Sequence, residues 1–545
     1  MRHLDCPATI FEMFSTVMEQ HADSPAFTFL DDKLQARDYS FRILQEASAA
    51  GAEKLRRYGF PDNSPVGILV QSQESQVVHY LAVLEAGLVP AILTPPNRKL
   101  RVEIFEETII ALVEQCQFSA IITDMAELNA DVRLLEPWTL DTLRESHRPP
   151  AVLDTTAILQ FTSGTTGIKR GVQISHAAMQ TSLQIYSKSL GLDRRDIILS
   201  WLPLYHDMGF IACLNMPLAF GVHCVMIQPL DWVAGPALFV QAASRYRATL
   251  SWNPNFAYAF MADRIGNEQL QGIDLSSLRG LINCAEPVTA ESQRRFCDRF
   301  TPFGLRENVF RGCYAMAETT FALTDGQAED GGYLDLYGPQ NADISVRLPQ
   351  VSVGSPLPGV ELEVMDSVGV PVAERHFGEL WVKGRVLFSG YFNNPDTTAA
   401  VMHEGWYKTG DCGYRIGNEF YVCSRKKDLL ILNGVNIFPQ DVEDLVSSVA
   451  GIIPGRSVAF SQFNEQLQSE MLIVVAECDV TESAKADIIV RIRQLIMAQL
   501  QPPGFLVSLV PPKWLVKSSS GKIARQANRA KWAKEYHSSE VSQAN

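Results

Sequence analysis

From residue 155 onward, short apolar runs alternate with longer segments whose apolar positions recur at helical spacing. "TAILQF" (156–161) reads as a strand, and "ISHAAMQTSLQIYSKSL" (174–190) as a helix that Ser175 opens as N-cap. "DIILSWL", "GVHCVMIQ", "ATLSWN", "RGLINCA" and "NVFRGCYAM" read as further strands. Between them lie the helical segments "GPALFVQAASRY", "PNFAYAFMADRI", with Pro254 at its start, and "TAESQRRFCDRF". Buried strands alternating with amphipathic helices predict parallel sheet covered by helices on its faces. Residues 65–125 repeat the rhythm more faintly.

The pattern changes after residue 325. A polar, Gly-rich stretch at about 325–350 reads as an insertion, and residues 351–423 as short strands broken by Gly and Pro, a small distorted β-barrel. "SRKKD" (424–428) interrupts, and residues 425–535 read as a smaller α+β unit, with 536–545 a disordered tail. The expected fold is therefore α/β multidomain. A large N-terminal domain (1–424) holds parallel α/β subdomains and the barrel, and a small mobile C-terminal domain (425–535) follows. A chain of 545 residues exceeds what one core supports, which agrees.

Composition narrows the chemistry. Net charge is −14, with no long basic block before the C-terminus, so a broad positive field for nucleic acid is excluded. The ten cysteines are scattered without a CxxC pair, and no His cluster has metal-ligand spacing, so reduced thiols and a cytoplasmic location are expected. The N-terminus carries Asp5 and Glu12 and does not read as a signal peptide. The most apolar long window, 208–227, contains Asn215, Pro217 and His223, and reads as a buried helix and strand rather than a transmembrane segment.

Within this frame "TSGTTG" (162–167) stands out: Thr162, Ser163, Gly164, Thr165, Thr166 and Gly167, followed by Lys169 and Arg170. Backbone N–H groups and hydroxyls of such a loop can wrap a triphosphate, and Arg170 can add charge-assisted contacts. The Walker spacing is absent. Taken singly, the other candidates also suit ordinary roles: His206 a core histidine, Glu318 a turn cap, Asp411 a turn acid, Lys522 a surface lysine. Their order along the chain carries the argument.

"LQFTSGTTG", "WLPLYHDMG", "NPNFAY", "CAEPV", "GCYAMAETT", "YKTGD" and "NIFPQDVE" occur in sequence, and together they resemble the adenylate-forming superfamily, most closely its fatty acyl-AMP ligases. The resemblance runs from about residue 10 to 530. It implies an enzyme that joins a medium- or long-chain fatty acid to ATP, releases pyrophosphate, and passes the acyl group to an acidic, phosphopantetheinylated acyl carrier protein. Coenzyme A is the alternative acceptor, and a non-catalytic nucleotide-binding homologue the alternative of another class. By the same resemblance the Thr/Ser/Gly loop covers the β- and γ-phosphates, and Glu318 holds Mg²⁺. Ala285, Glu286, Pro287, Tyr314, Ala315 and Met316 surround the adenine, and Asp411 and Arg425 take the ribose. His206, Asp207, Gly209, Asn255 and Phe256 border the acyl group, Asp428 is the hinge, and Lys522 is the catalytic cation. Seven basic residues against one acidic in 511–535, Arg525 among them, suit docking of an acidic carrier.

The sequence also departs from the family pattern. Lys169-Arg170-Gly171 stands where Pro-Lys-Gly is common, and Ala315 and Cys284 stand where Gly is common. The extra methyl of Ala315 is expected to crowd the carboxylate end of the acyl pocket. The insertion is shorter than many in the subfamily, which weakens any inference that coenzyme A is refused.

Overall fold

The structure, a computed structural model, describes residues 7–96, 102–125, 132–137, 155–162, 170–326, 334–340, 344–345, 349–432, 435–464, 469–500, 502, 504–517 and 523–536. Its centre is a seven-stranded sheet in the order Phe310–Gly312, Gly280–Asn283, Leu250–Asn253, Ile197–Ser200, His223–Ile227, Pro25–Leu30 and Ala36–Ser40. Neighbours run parallel except the last pair. Leu250–Asn253 and Gly280–Asn283 are buried at every position. That is why they read as unbroken apolar runs rather than alternating ones. A second parallel sheet, Val89–Ile92, Pro65–Leu69, Ala120–Thr123 and Leu134–Leu135, accounts for the fainter rhythm upstream.

Helix starts follow local chemistry. Ser175 Oγ accepts the Ala178 N–H at 3.1 Å, as the N-cap reading required. Pro254 precedes Asn255–Arg264, and its fixed φ of −69° suits that place. The window 208–227 is a helix followed by a strand, but Met208–Asn215 is wound as a π-helix before Met216–Phe220 and His223–Ile227. Asn215 is the cause at hand: its Nδ2 donates to the Phe210 carbonyl at 2.7 Å, and its Oδ1 accepts from Tyr80 Oη at 2.5 Å. Among the described residues no helix is long and apolar enough to cross a membrane.

Two expectations are modified. Thr156–Phe161 does not join a parallel sheet. It pairs antiparallel with Gly171–Ser175, which in turn pairs antiparallel with Gly390–Tyr391. A strand buried on both faces looks the same in either arrangement, so periodicity cannot tell them apart. The described residues of the insertion also include short paired strands. Leu334–Asp335 pairs with Gln350–Val351, and Ile344–Ser345 pairs in parallel with Val435–Ile437. Asp335 anchors it, accepting from Tyr414 Oη at 2.8 Å and pairing with Arg375 at 3.1 Å. Two-residue strands are too short to leave a periodic signature.

The barrel-like part is an antiparallel sheet of Val360–Met365, Gly378–Gly384, Trp406–Ile416, Met402–His403 and Glu419–Arg425. Beyond it, Ile452–Asn464, Ser469–Cys478 and Phe505–Val510 form a small mixed sheet with helices Pro439–Ser447, Glu482–Gln499 and Arg525–Tyr536. One buried cluster extends from Ile10 to Phe420, whereas side chains between Leu430 and Trp532 pack in clusters of their own. A small group of Tyr414, Tyr421, Cys423 and Phe438 joins them.

His79, on helix Gln73–Glu85, is fully buried, with Nδ1 2.5 Å from the Ser75 carbonyl oxygen. Burial lowers its pKa from 6.5 to about 4. The native state therefore binds fewer protons than the unfolded chain between these values, and stability falls as pH drops through that window. Denaturant unfolding from pH 7 to pH 4 should show roughly 2–4 kcal/mol of this loss, and His79→Gln should flatten the slope by that amount. An unchanged slope would assign the acid sensitivity elsewhere.

Candidate active site

Four parallel strands deliver their C-terminal ends to one edge of the central sheet. Trp201–Gly209 follows Ile197–Ser200, and Asn255 and Phe256 follow Leu250–Asn253. Cys284–Pro287 follows Gly280–Asn283, and Cys313–Glu318 follows Phe310–Gly312. Ligands in open α/β sheets bind outside this edge.

Asp411, from the barrel-like sheet, closes the site from the other side. Its Oδ2 accepts from Tyr314 Oη at 2.8 Å, and its Oδ1 lies 3.2 Å from Arg425 Nε. Asp411 and Arg425 are direct partners across adjacent strands, so the pairing is set by register. The Asp411 charge raises the Arg425 pKa, and burial followed by Asp411 raises that of Tyr314.

Glu318 sits on the short 3₁₀ turn Ala317–Thr319. Its Oε1 accepts from Tyr391 Oη at 2.8 Å, and its own carbonyl accepts from Phe388 N at 2.9 Å. Desolvation raises its carboxyl pKa. Arg170 follows the Thr/Ser/Gly loop, whose ends meet where Thr162 N donates to the Arg170 carbonyl at 3.2 Å. The Arg170 guanidinium lies 5.3 Å from the Tyr391 ring centroid. Ser163, Gly164, Thr165, Thr166 and Gly167, with Lys169, lie outside the described residues.

At the neighbouring strand end, Ala285 has a left-handed φ of 76°, a strained geometry for a residue with a Cβ. It turns the chain so that Glu286 Oε1 accepts the Phe256 N–H at 2.6 Å, near the start of helix Asn255–Arg264. Pro287 is half-buried beside it, and Met316 and Ala315 are half-buried on the adjacent turn, where Ala315 bridges Ala322. The side chain of Asn255 is a hub of hydrogen bonds. It donates to Thr289 and accepts from Asn283, the Thr289 N–H and Ser292, tying two strand ends together. Phe256 meets Trp201 and Trp232 edge to face, each at 6.4 Å. His206 Nδ1 is 2.6 Å from Asp207 Oδ1, and Asp207 caps the π-helix through Met208 N. At Gly209 a Cβ would come within 2.5 Å of the Pro203 carbonyl, so only glycine fits.

Lys522 lies outside the described residues, but its flanks do not. Lys517 and Ile523 form an antiparallel bridge, and Ala524 N donates to Val516 O at 3.0 Å. The Lys517 ammonium lies 5.9 Å from the Phe256 ring centroid. Lys517 is thus seated beside the sheet edge, and Ile523 is tied back to it. Arg525 is not the docking cation that its place in a basic segment implied. Its guanidinium is buried, donates to the Ala459 carbonyl, and pairs with Asp428 at 3.3 Å and Glu443 at 2.7 Å.

Residues 14–392 match the family described as AMP-binding enzyme. The chain belongs to that family. It is 27% identical to the long-chain-fatty-acid–AMP ligase FadD26 of Mycobacterium marinum, over 93% of this chain and 94% of the relative. It is 28% identical to the medium-chain-fatty-acid–[acyl-carrier-protein] ligase JamA of Moorena producens, over 96% and 95%. Among solved structures, a chain from work on fatty acyl-adenylate ligases of E. coli and L. pneumophila superposes with a TM-score of 0.88 at 27% identity, covering 99% of this chain and 100% of that one. The L. pneumophila fatty acyl-adenylate ligase in complex with acyl adenylate and pyrophosphate gives 0.73 at 26% identity, covering 97% and 96%.

Sequence reading missed Tyr391, Lys517 and Glu443. Tyr391 lies in "SGYF" (389–392), a two-residue strand with no distinctive spacing, and its role appears only when that strand pairs with Gly171–Ser175. For Asp411→Asn, nucleotide affinity should fall about 10- to 100-fold, the loss of a charged hydrogen-bond acceptor. Calorimetric titration with ATP measures this, and affinity within twofold of the parent would remove Asp411 from the nucleotide site.

Proposed function

We propose that the protein activates a medium- or long-chain fatty acid as acyl-AMP, releasing pyrophosphate from ATP. It then passes the acyl group to the phosphopantetheine thiol of an acyl carrier protein. The observation that carries this reading is the convergence of Glu318, Asp411 and Arg425 at one sheet edge, with Lys517 beside Phe256 at the same edge.

A carboxylate attacks the α-phosphate with difficulty, because both are anions and the attack must be in line. Arg170 and the Thr/Ser/Gly loop hold the terminal phosphates. Asp411 accepts from the ribose hydroxyls while Tyr314 and Arg425 fix its two oxygens. Ala285, Glu286, Pro287, Tyr314, Ala315 and Met316 form the adenine wall. Glu286 shapes that wall by holding the Phe256 amide, and His206, oriented by Asp207, borders the carboxylate. Lys522 bridges carboxylate and α-phosphate as charge builds between them.

The donor set around Glu318 fits a magnesium ion that arrives with ATP. It is one recessed carboxylate, a hard oxygen ligand, and no group of three or more His, Cys, Asp or Glu ligands exists among the described residues. When bound, Mg²⁺ would neutralise phosphate charge there. Burial disfavours the bare Glu318 anion, and a cation beside it removes that penalty.

The name of the JamA relative favours a carrier protein as acceptor. So does the insertion, because turning the C-terminal part about Asp428 breaks the ladder between Ile344–Ser345 and Val435–Ile437. A folded carrier brings docking energy that offsets this cost, and free coenzyme A brings less. Intact, bonded Glu318, Asp411 and Arg425 favour turnover over binding alone. The nine described cysteines are all free thiols, which suits the cytoplasm.

Incubation with graded fatty acids, ATP and Mg²⁺, with holo carrier protein or coenzyme A, should release pyrophosphate and load the carrier. Acyl-CoA in high yield would overturn the acceptor, and absence of pyrophosphate with every acid would overturn the activity. Lys522→Ala should lower pyrophosphate release by at least about 10²-fold with ATP affinity retained. Normal release from that variant would remove Lys522 from the chemistry.

A further inference from the structure

We propose that Tyr391 is a positioning residue that holds the metal-binding carboxylate and the phosphate-loop cation in one frame; this rests on the reading of Glu318 as the magnesium ligand. Tyr391 is buried, and three independent contacts converge on it. Its hydroxyl donates to Glu318 Oε1 at 2.8 Å. Its ring carries the Arg170 guanidinium at 5.3 Å. Its backbone belongs to the strand Gly390–Tyr391, where Tyr391 pairs with Val172, directly downstream of the Thr/Ser/Gly loop.

The surrounding segment repeats the same link. Phe388 N donates to the Glu318 carbonyl at 2.9 Å, Thr320 Oγ1 donates to the Val386 carbonyl at 2.8 Å, and Phe392 N donates to the Gly171 carbonyl at 2.8 Å. Residues 386–392 therefore grip the Glu318 turn at one end and the return strand of the loop at the other. Thr320 takes a φ of 62°, so the turn is held in a geometry it would not adopt alone. Of these contacts, only the Tyr391 side chain touches both charged groups.

The hydroxyl pins one Glu318 oxygen, Oε1, and so orients the carboxylate as partners of metal ligands do. The ring lies against the Arg170 guanidinium and offers it a neutral partner rather than an anion. One side chain thus fixes the spacing between the groups that would meet the metal and the terminal phosphates.

The test uses the full chain and Mn²⁺ as probe, titrated by electron paramagnetic resonance with α,β-methylene-ATP present. Tyr391→Phe, which keeps the ring, should weaken Mn²⁺ affinity by about 10- to 100-fold. Metal-free binding of the same nucleotide should change by less than about threefold, well below the cost of losing a charged hydrogen bond. In Tyr391→Leu, which removes the ring as well, combined with Arg170→Met, the losses should fall short of the product of the single effects. Mn²⁺ affinity within twofold of the parent would overturn the proposal. So would an equal fall in metal-free nucleotide binding, a Tyr391→Phe chain that lost its fold, or a parent chain that bound no Mn²⁺. Pyrophosphate release is scored separately: a weakened Mn²⁺ site with no pyrophosphate from any acid would sink the proposed activity and leave the role of Tyr391 standing.

Discussion

The carboxylate of Asp411 is the point on which the arrangement turns. It lies on the barrel-like sheet, accepts from Tyr314 at an end of the central parallel sheet, and faces Arg425 three residues before Asp428. One charged group therefore fixes the distance between two sheets and the start of the C-terminal part. A hydrogen bond to a buried anion resists loss because the anion left behind has no solvent to turn to. The same resistance makes Asp411 a good anvil for a polar ligand.

Much of this could be read in advance, for identifiable reasons. Leu250–Asn253 and Gly280–Asn283 are buried throughout, so their apolar runs are clear, and Ser175 marks its helix by a local bond that sequence encodes. The strand-end placement of Glu286 and Glu318 followed from the same runs. What stayed hidden depends on partners distant in sequence. The antiparallel pairing of Thr156–Phe161, the insertion strands, and the contact of Tyr391 with Glu318 are all of this kind. The amide of Asn255 ties Asn283, Thr289 and Ser292 together, a knot no spacing reveals. Arg525 looked like one of seven surface charges because a run of basic residues does not show which of them finds buried acids.

Strain concentrates where the site is built. Ala285, just past the strand Gly280–Asn283, and Thr320, which ends the Glu318 turn, both take positive φ, and the π-helix begins immediately after His206 and Asp207. Each departure from regular geometry re-aims a side chain at the sheet edge, and the regular core beneath, from Trp252 to Phe310, over-determines the backbone enough to hold it. The face-to-face pair Trp201 and Trp232, with centroids 3.5 Å apart, is part of that rigid floor.

The burial of Arg525 has a mechanical meaning. Its guanidinium is clamped by Asp428, Glu443 and the Ala459 carbonyl. Parting a cation from two desolvated acids is so unfavourable that intermediate geometries are thinly populated. Residues 523–536 and the helix Pro439–Ser447 are thereby riveted into one stiff unit, so a load on either is felt by both.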